Sequence, residues 1–149
     1  MGLGLYEHYP VFRSSIEQCD VFLFKELGCP WSVVEELERD ADSSSNINLP
    51  LYSQPLCTDI QVALVDLLKS WDLAPASVIG HFSGEIAAAY SAGAITRDSA
   101  WRIAYQRGVV SENLVVASTA APRTMMSVGL GEEDVAAYLE GTDVTVACV

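Results

Sequence analysis

Residues 80 to 85 read Gly80-His81-Phe82-Ser83-Gly84-Glu85. The two glycines have the Gly-x-Ser-x-Gly spacing of a nucleophile elbow, a sharp strand-to-helix turn that lifts its central side chain clear of the backbone. The chemistry such a frame serves is acyl transfer: the central oxygen attacks a carbonyl carbon and holds the acyl group as an ester. Here the central residue is Phe82. A phenyl ring offers no lone pair for that attack, so the frame is present without its attacking atom. Ser83 has a hydroxyl, but it stands one position late, where the turn sends the side chain elsewhere. Attack tolerates only a fraction of an ångström of misplacement. The backbone N–H of Ser83 keeps a use, because the residue after the nucleophile donates to the oxyanion. A plain strand-to-helix turn uses the same glycines, and six residues alone do not separate the two.

The flanking sequence indicates what would position this turn. Val78 and Ile79 form the middle of a short buried strand leading into Gly80. Ile86 to Ala92 is alanine-rich, so a helix there could approach a sheet closely, and Gly93 ends it. Thr96 caps a further helix from Arg97 to about Asn113, which carries Arg107. Upstream, Pro10 suits the first turn of a helix over residues 10 to 24, with Phe12, Ile16, Cys19 and Leu23 on one apolar face. Ser32 and Glu35 have capping-box spacing for a short helix over residues 33 to 39. Residues 38 to 48 are polar and aperiodic, as in an exposed loop. Pro55 opens a helix through Ser70 with Leu56, Ile60, Ala63, Leu64, Leu67 and Leu68 on a broad stripe. After Pro122 the pattern becomes strand, helix, strand over residues 124–130, 132–140 and 145–149.

The chain has 149 residues, half of them hydrophobic, enough for one globular domain. Its formal net charge of -12 disfavours nucleic acid and anionic membranes as partners. No run approaches the roughly 20 apolar residues that span a bilayer. The first residues lack the basic and apolar pattern of a secretory signal, and four cysteines read as free thiols of a reducing compartment make the expected location cytoplasmic. Cys19, Cys29, Cys57 and Cys148 fit no CxxC pattern, and only His8 and His81 could join them at a metal, so free thiols and no metal are expected.

From Val78 to Ile95 the sequence resembles the acyltransferase (malonyl-CoA:acyl carrier protein transacylase) domain of iterative type I polyketide synthases, particularly the fungal highly reducing type, whose elbow reads Gly-His-Ser-x-Gly-Glu. Tyr9 to Asp20, Leu27 to Ser32 and Tyr52 to Leu68 are similar to further segments of that family, so the resemblance covers nearly the whole chain. It implies an α/β fold. Residues 1–122 would be a partial large subdomain, a short parallel sheet with flanking helices, and residues 123–149 the β-α-β start of a ferredoxin-like small subdomain. The family pattern begins with a strand and a Gly-Gln-Gly loop ahead of the first residue here. Its catalytic base is a histidine downstream of Val149. The chain is therefore expected to be a piece of such a domain, short at both ends.

The resemblance also implies roles. The family serine takes a malonyl group from coenzyme A and passes it to the phosphopantetheine thiol of an acyl carrier protein; that serine corresponds to Phe82. Gly80, His81 and Gly84 are elbow positions, and His81 is not the base. The family arginine that grips the free carboxylate of malonate corresponds to Arg107, a role suited to a guanidinium's paired hydrogen bonds. Gln54 and Gln61 fall in family-like stretches, with structural hydrogen bonds the simpler assignment. Malonyl-CoA and the carrier protein would be substrates, with no tightly bound cofactor, and the other synthase domains would be partners. The chain is then either an acyltransferase piece inactivated at Phe82 or a non-catalytic module that recognises acyl-CoA or a synthase partner. An unrelated hydrolase is disfavoured, because no histidine follows His81.

Overall fold

Residues 2–39, 45–117 and 125–147 are described in the computed structural model, and every regular element among them is a helix. A short helix α1 (Leu3–His8) leads into α2 (Pro10–Leu27), where Pro10 occupies the first turn and no N–H bond is lost. Phe12, Ile16, Cys19 and Leu23 recur every three or four residues, and all four are buried. Gly28 stops α2 with φ 64°, a left-handed turn that a Cβ would strain, and the next N–H, from Cys29, bonds back to the Leu23 carbonyl.

α3 (Val33–Glu38) starts where the sequence predicts, with the Ser32 hydroxyl accepting from the Glu35 N–H at 3.2 Å. Asp20 ties this start to α2 by accepting from the Val33 N–H at 2.6 Å and the Ser32 hydroxyl at 3.1 Å. The predicted loop over residues 38 to 48 includes residues 40–44, which lie outside the described residues. At its edges the buried Glu36 carboxylate pairs with Arg39 at 3.0 Å and accepts from the Ser45 hydroxyl at 3.1 Å and the Asn46 N–H.

α4 (Pro50–Ser70) begins five residues before the predicted start, and Pro55 lies inside it. Either proline satisfies a first turn. Pro50 takes that position because Leu51 and Tyr52 pack against the core and continue the apolar stripe upstream. α5 (Gly84–Ser91) closes with a Schellman motif: Gly93 at φ 73° donates to the Tyr90 carbonyl at 3.0 Å, and Ala94 donates to that of Ala89 at 2.9 Å. α6 (Arg97–Ala117) is capped by Thr96, whose hydroxyl oxygen accepts from the Ser99 N–H at 3.2 Å. Helices α2, α4, α5 and α6 enclose the core, with Leu56, Val62, Ala63, Leu67, Ala100 and Ala104 buried between them.

Gly108 sets how closely α6 meets the start of α4. A Cβ added there would lie 2.9 Å from the Pro50 carbonyl oxygen and 3.1 Å from the Leu51 Cα, both backbone atoms that cannot swing aside. Alanine is the better helix former by about 1 kcal/mol. Gly108→Ala is nevertheless expected to destabilise the fold by about 1–2 kcal/mol, because overpacking outweighs propensity. Urea unfolding monitored by circular dichroism checks this, and a stabilised variant would contradict so tight a contact.

The predicted α/β architecture is not what the chain forms: no β-strand occurs among the described residues. Val78 and Ile79, expected as the middle of a short buried strand of a parallel sheet, have no strand partner, and the Ile79 side chain is 97% exposed. Apolar, β-branched residues favour extended backbone, but a strand exists only through hydrogen bonds to a neighbour. The ferredoxin-like start fails for the same reason. The chain divides into two compact units, residues 1–117 and 118–149. The helix predicted in the second forms as α7 (Glu132–Leu139), with Glu132, Glu133 and Asp134 favourably placed at its N-terminus. Residues 125–128 and 144–147 on either side form no strand ladder, so no β-α-β unit occurs among the described residues. The expected division at 122/123, residue 124, residues 148–149 and Cys148 lie outside the described residues.

Candidate active site

The turn from residue 80 into α5 has the close geometry that its glycines suggest, on one side only. A Cβ on Gly80 would stand 2.4 Å from both the Cα and the amide nitrogen of Glu85, so only glycine fits. A Cβ on Gly84 would meet nothing within 4 Å. Between them Phe82 adopts φ 56°, in the left-handed region that a bulky side chain seldom occupies. The His81 carbonyl accepts from the Gly84 N–H at 2.9 Å, and the Phe82 carbonyl from the Glu85 N–H at 3.3 Å. Among the described residues no acceptor meets the N–H of Phe82 or of Ser83, which leaves two donors free at the head of an eight-residue helix. The Ser83 hydroxyl does not cap that helix. His81 is exposed.

Phe82 and Arg107 are brought together although 25 residues separate them. The Arg107 Cζ lies 5.1 Å from the centroid of the Phe82 ring, within cation–π range. Arg107 is half-buried on α6 and forms no ion pair with any carboxylate among the described residues, in a chain with 20 acidic residues against eight basic ones. The ring itself is 61% exposed. Gln54 and Gln61 are half-buried on α4, and each has a side-chain oxygen with no partner among the described residues.

Two polar clusters that the sequence analysis did not assign hold this region. Asp66 on α4 accepts from the Ser15 hydroxyl of α2 at 2.8 Å and from the Tyr90 hydroxyl of α5, and it lies 3.6 Å from Arg97 of α6. It thus joins four helices and fixes the one that begins at the elbow. Burial, then the Asp66 carboxylate, pushes the Tyr90 phenol up to about 12. In the core, Asp59 on α4 is 0% exposed and accepts from the Trp101 indole N–H at 3.1 Å. Its other oxygen has no hydrogen-bond partner of ordinary geometry, its neighbour being the Cys19 thiol, a weak donor. The signal for Asp59 was in the spacing: it stands three residues after Leu56 and four before Ala63, on the apolar stripe itself.

Among the described residues no three His, Cys, Asp or Glu side chains gather as a metal site, and no helix is long and apolar enough to cross a membrane. Cys19, Cys29 and Cys57 are free thiols.

A family model described as the acyl transferase domain matches residues 1–149. The chain is 52% identical over 152 residues to the highly reducing polyketide synthase Preu1 of Preussia isomera, covering 100% of this chain and 6% of that protein. It is 48% identical over 152 residues to the partially reducing polyketide synthase tpeA of Talaromyces stipitatus, with the same coverage of 100% and 6%. The chain therefore spans a small fraction of the length of these curated relatives. The solved acyl transferase domain of ZmaA is similar with a TM-score of 0.68 at 26% identity, over 76% of this chain and 26% of that one. A loading acyltransferase from the avermectin modular polyketide synthase gives 0.67 at 29% identity, over 77% and 35%. The chain belongs to the acyl transferase domain family, in the form that fungal polyketide synthases carry.

Proposed function

We propose that the chain is an acyl transferase segment of a polyketide synthase in which covalent acyl transfer does not occur, because Phe82 fills the position of the attacking residue. The observation that carries this is the apex of the turn: Phe82 stands at φ 56° between the tight Gly80 and the start of α5, where a serine oxygen would be presented. In the family reaction that oxygen takes malonyl from coenzyme A and yields it to the phosphopantetheine thiol of a carrier protein. The carrier and the other synthase domains are the partners this assigns. Arg107 is the group for the malonyl carboxylate, and the free N–H of Ser83 the remaining oxyanion donor. Residues 1–122 and 123–149 would be parts of the domain's large and small subdomains, and the location that of a cytoplasmic synthase.

Protein incubated with radiolabelled malonyl-CoA and then denatured is expected to retain no label. Label recovered on the peptide carrying Ser83 would overturn the proposal. A non-catalytic acyl-CoA binding module would also keep Arg107 without an attacking oxygen. The aromatic cover on that guanidinium weighs against tight binding of this kind.

A further inference from the structure

We propose that Phe82 impedes the site a second time: its ring lies over the Arg107 guanidinium at the carboxylate position, so that malonyl-CoA binding is weakened as well as transfer blocked. This rests on the assignment above of an acyl-CoA site around Arg107. The separation of 5.1 Å between Cζ and ring centroid is a cation–π contact, and a ligand carboxylate reaching the same guanidinium must share or displace it. Arg107 has no competing carboxylate among the described residues, so the aromatic ring is the group that holds it. The left-handed backbone at Phe82 aims the ring there, and the flanking bonds from Gly84 to His81 and from Glu85 to Phe82 fix that aim. A cation so covered is already partly desolvated and loses an attractive contact when the ring leaves.

Calorimetric titration of the full chain with malonyl-CoA and with acetyl-CoA, which lacks the free carboxylate, separates the cases. Phe82→Ala removes the ring without supplying a nucleophile. Phe82→Gly does the same and also relieves the left-handed backbone, which guards against a misfolded alanine variant. Both are expected to bind malonyl-CoA about tenfold more tightly than the unaltered chain. The gain should be absent for acetyl-CoA and abolished when Arg107→Ala is added. Equal affinity of the unaltered chain and both variants for malonyl-CoA would overturn this impediment. Failure of every protein, Phe82→Ser included, to bind either thioester would instead overturn the acyl-CoA site itself.

Discussion

Phe82→Ser is expected to convert a chain that takes up no malonyl group into one that is acylated by malonyl-CoA at residue 82, with a rate increase of about 10³-fold or more over the unaltered chain. The serine Oγ forms a bond to the thioester carbon, the carbon–sulfur bond to coenzyme A breaks, and the hydroxyl proton must go to an acceptor. Imidazole in the buffer can take that proton whatever else the chain supplies. Labelling of Phe82→Ser should therefore rise with imidazole, while Phe82→Ala stays unlabelled at every concentration. Intact mass followed by peptide mapping locates the ester. The expectation depends on backbone already in place, the left-handed turn at residue 82 and the clearance that only Gly80 permits, and on the proposed use of the unpaired Ser83 N–H as an oxyanion donor. Replacement of an exposed ring leaves the buried helix contacts untouched. If Phe82→Ser remained unlabelled with imidazole while binding malonyl-CoA, the turn would not be presenting its central side chain to the thioester.

Local signals were the most legible in the sequence. Pro10, the Ser32 cap, Thr96 and Gly93 mark helix ends through bonds made within a few residues, and each marks an end in the fold. The strand expected at Val78 and Ile79 needs a second segment alongside it, and neither residue carries information about whether that neighbour is there. Its absence leaves Ile79 in solvent. Pro55 illustrates a competition: a proline is an admissible first residue and an admissible interior one when packing compensates, and the apolar Leu51 and Tyr52 decided for Pro50. At the site, the resemblance placed Phe82 and Arg107 in one region. The cation–π contact between them is tertiary and depends on how α5 and α6 pack, which no local spacing encodes. Asp59 was overlooked because an acidic residue on an apolar stripe reads as a break in the pattern, when it is instead a carboxyl inside the core.

That buried carboxyl makes the stability of the fold depend on pH in an uncommon direction. Burial raises the Asp59 carboxyl well above the usual carboxylate range, the Cys19 thiol and the Trp101 N–H oppose the rise, and Asp20 and Asp66 add to it. No salt bridge compensates a charge there among the described residues. The folded chain thus holds a proton that the unfolded chain releases near its ordinary value of about 3.9. The stabilisation is complete below that pH and is lost as pH rises toward the raised folded value, at up to about 1.4 kcal/mol for each pH unit. Asp59→Asn keeps an acceptor for the indole N–H and removes the ionisation. It is expected to be close to neutral near pH 4 and to become progressively more stable than the unaltered chain as pH rises above that, at up to about 1.4 kcal/mol for each pH unit. Chemical unfolding of both proteins across that range measures the difference, in which the exposed carboxylates shared by the two chains cancel. The Cys19 thiol, itself pushed well up by burial and then by Asp59, stays neutral across this window and does not imitate the effect. Parallel stability profiles for the two proteins would mean that Asp59 reaches water in the folded state. A widening gap with rising pH would mean that the core of this domain is closed around a protonated acid.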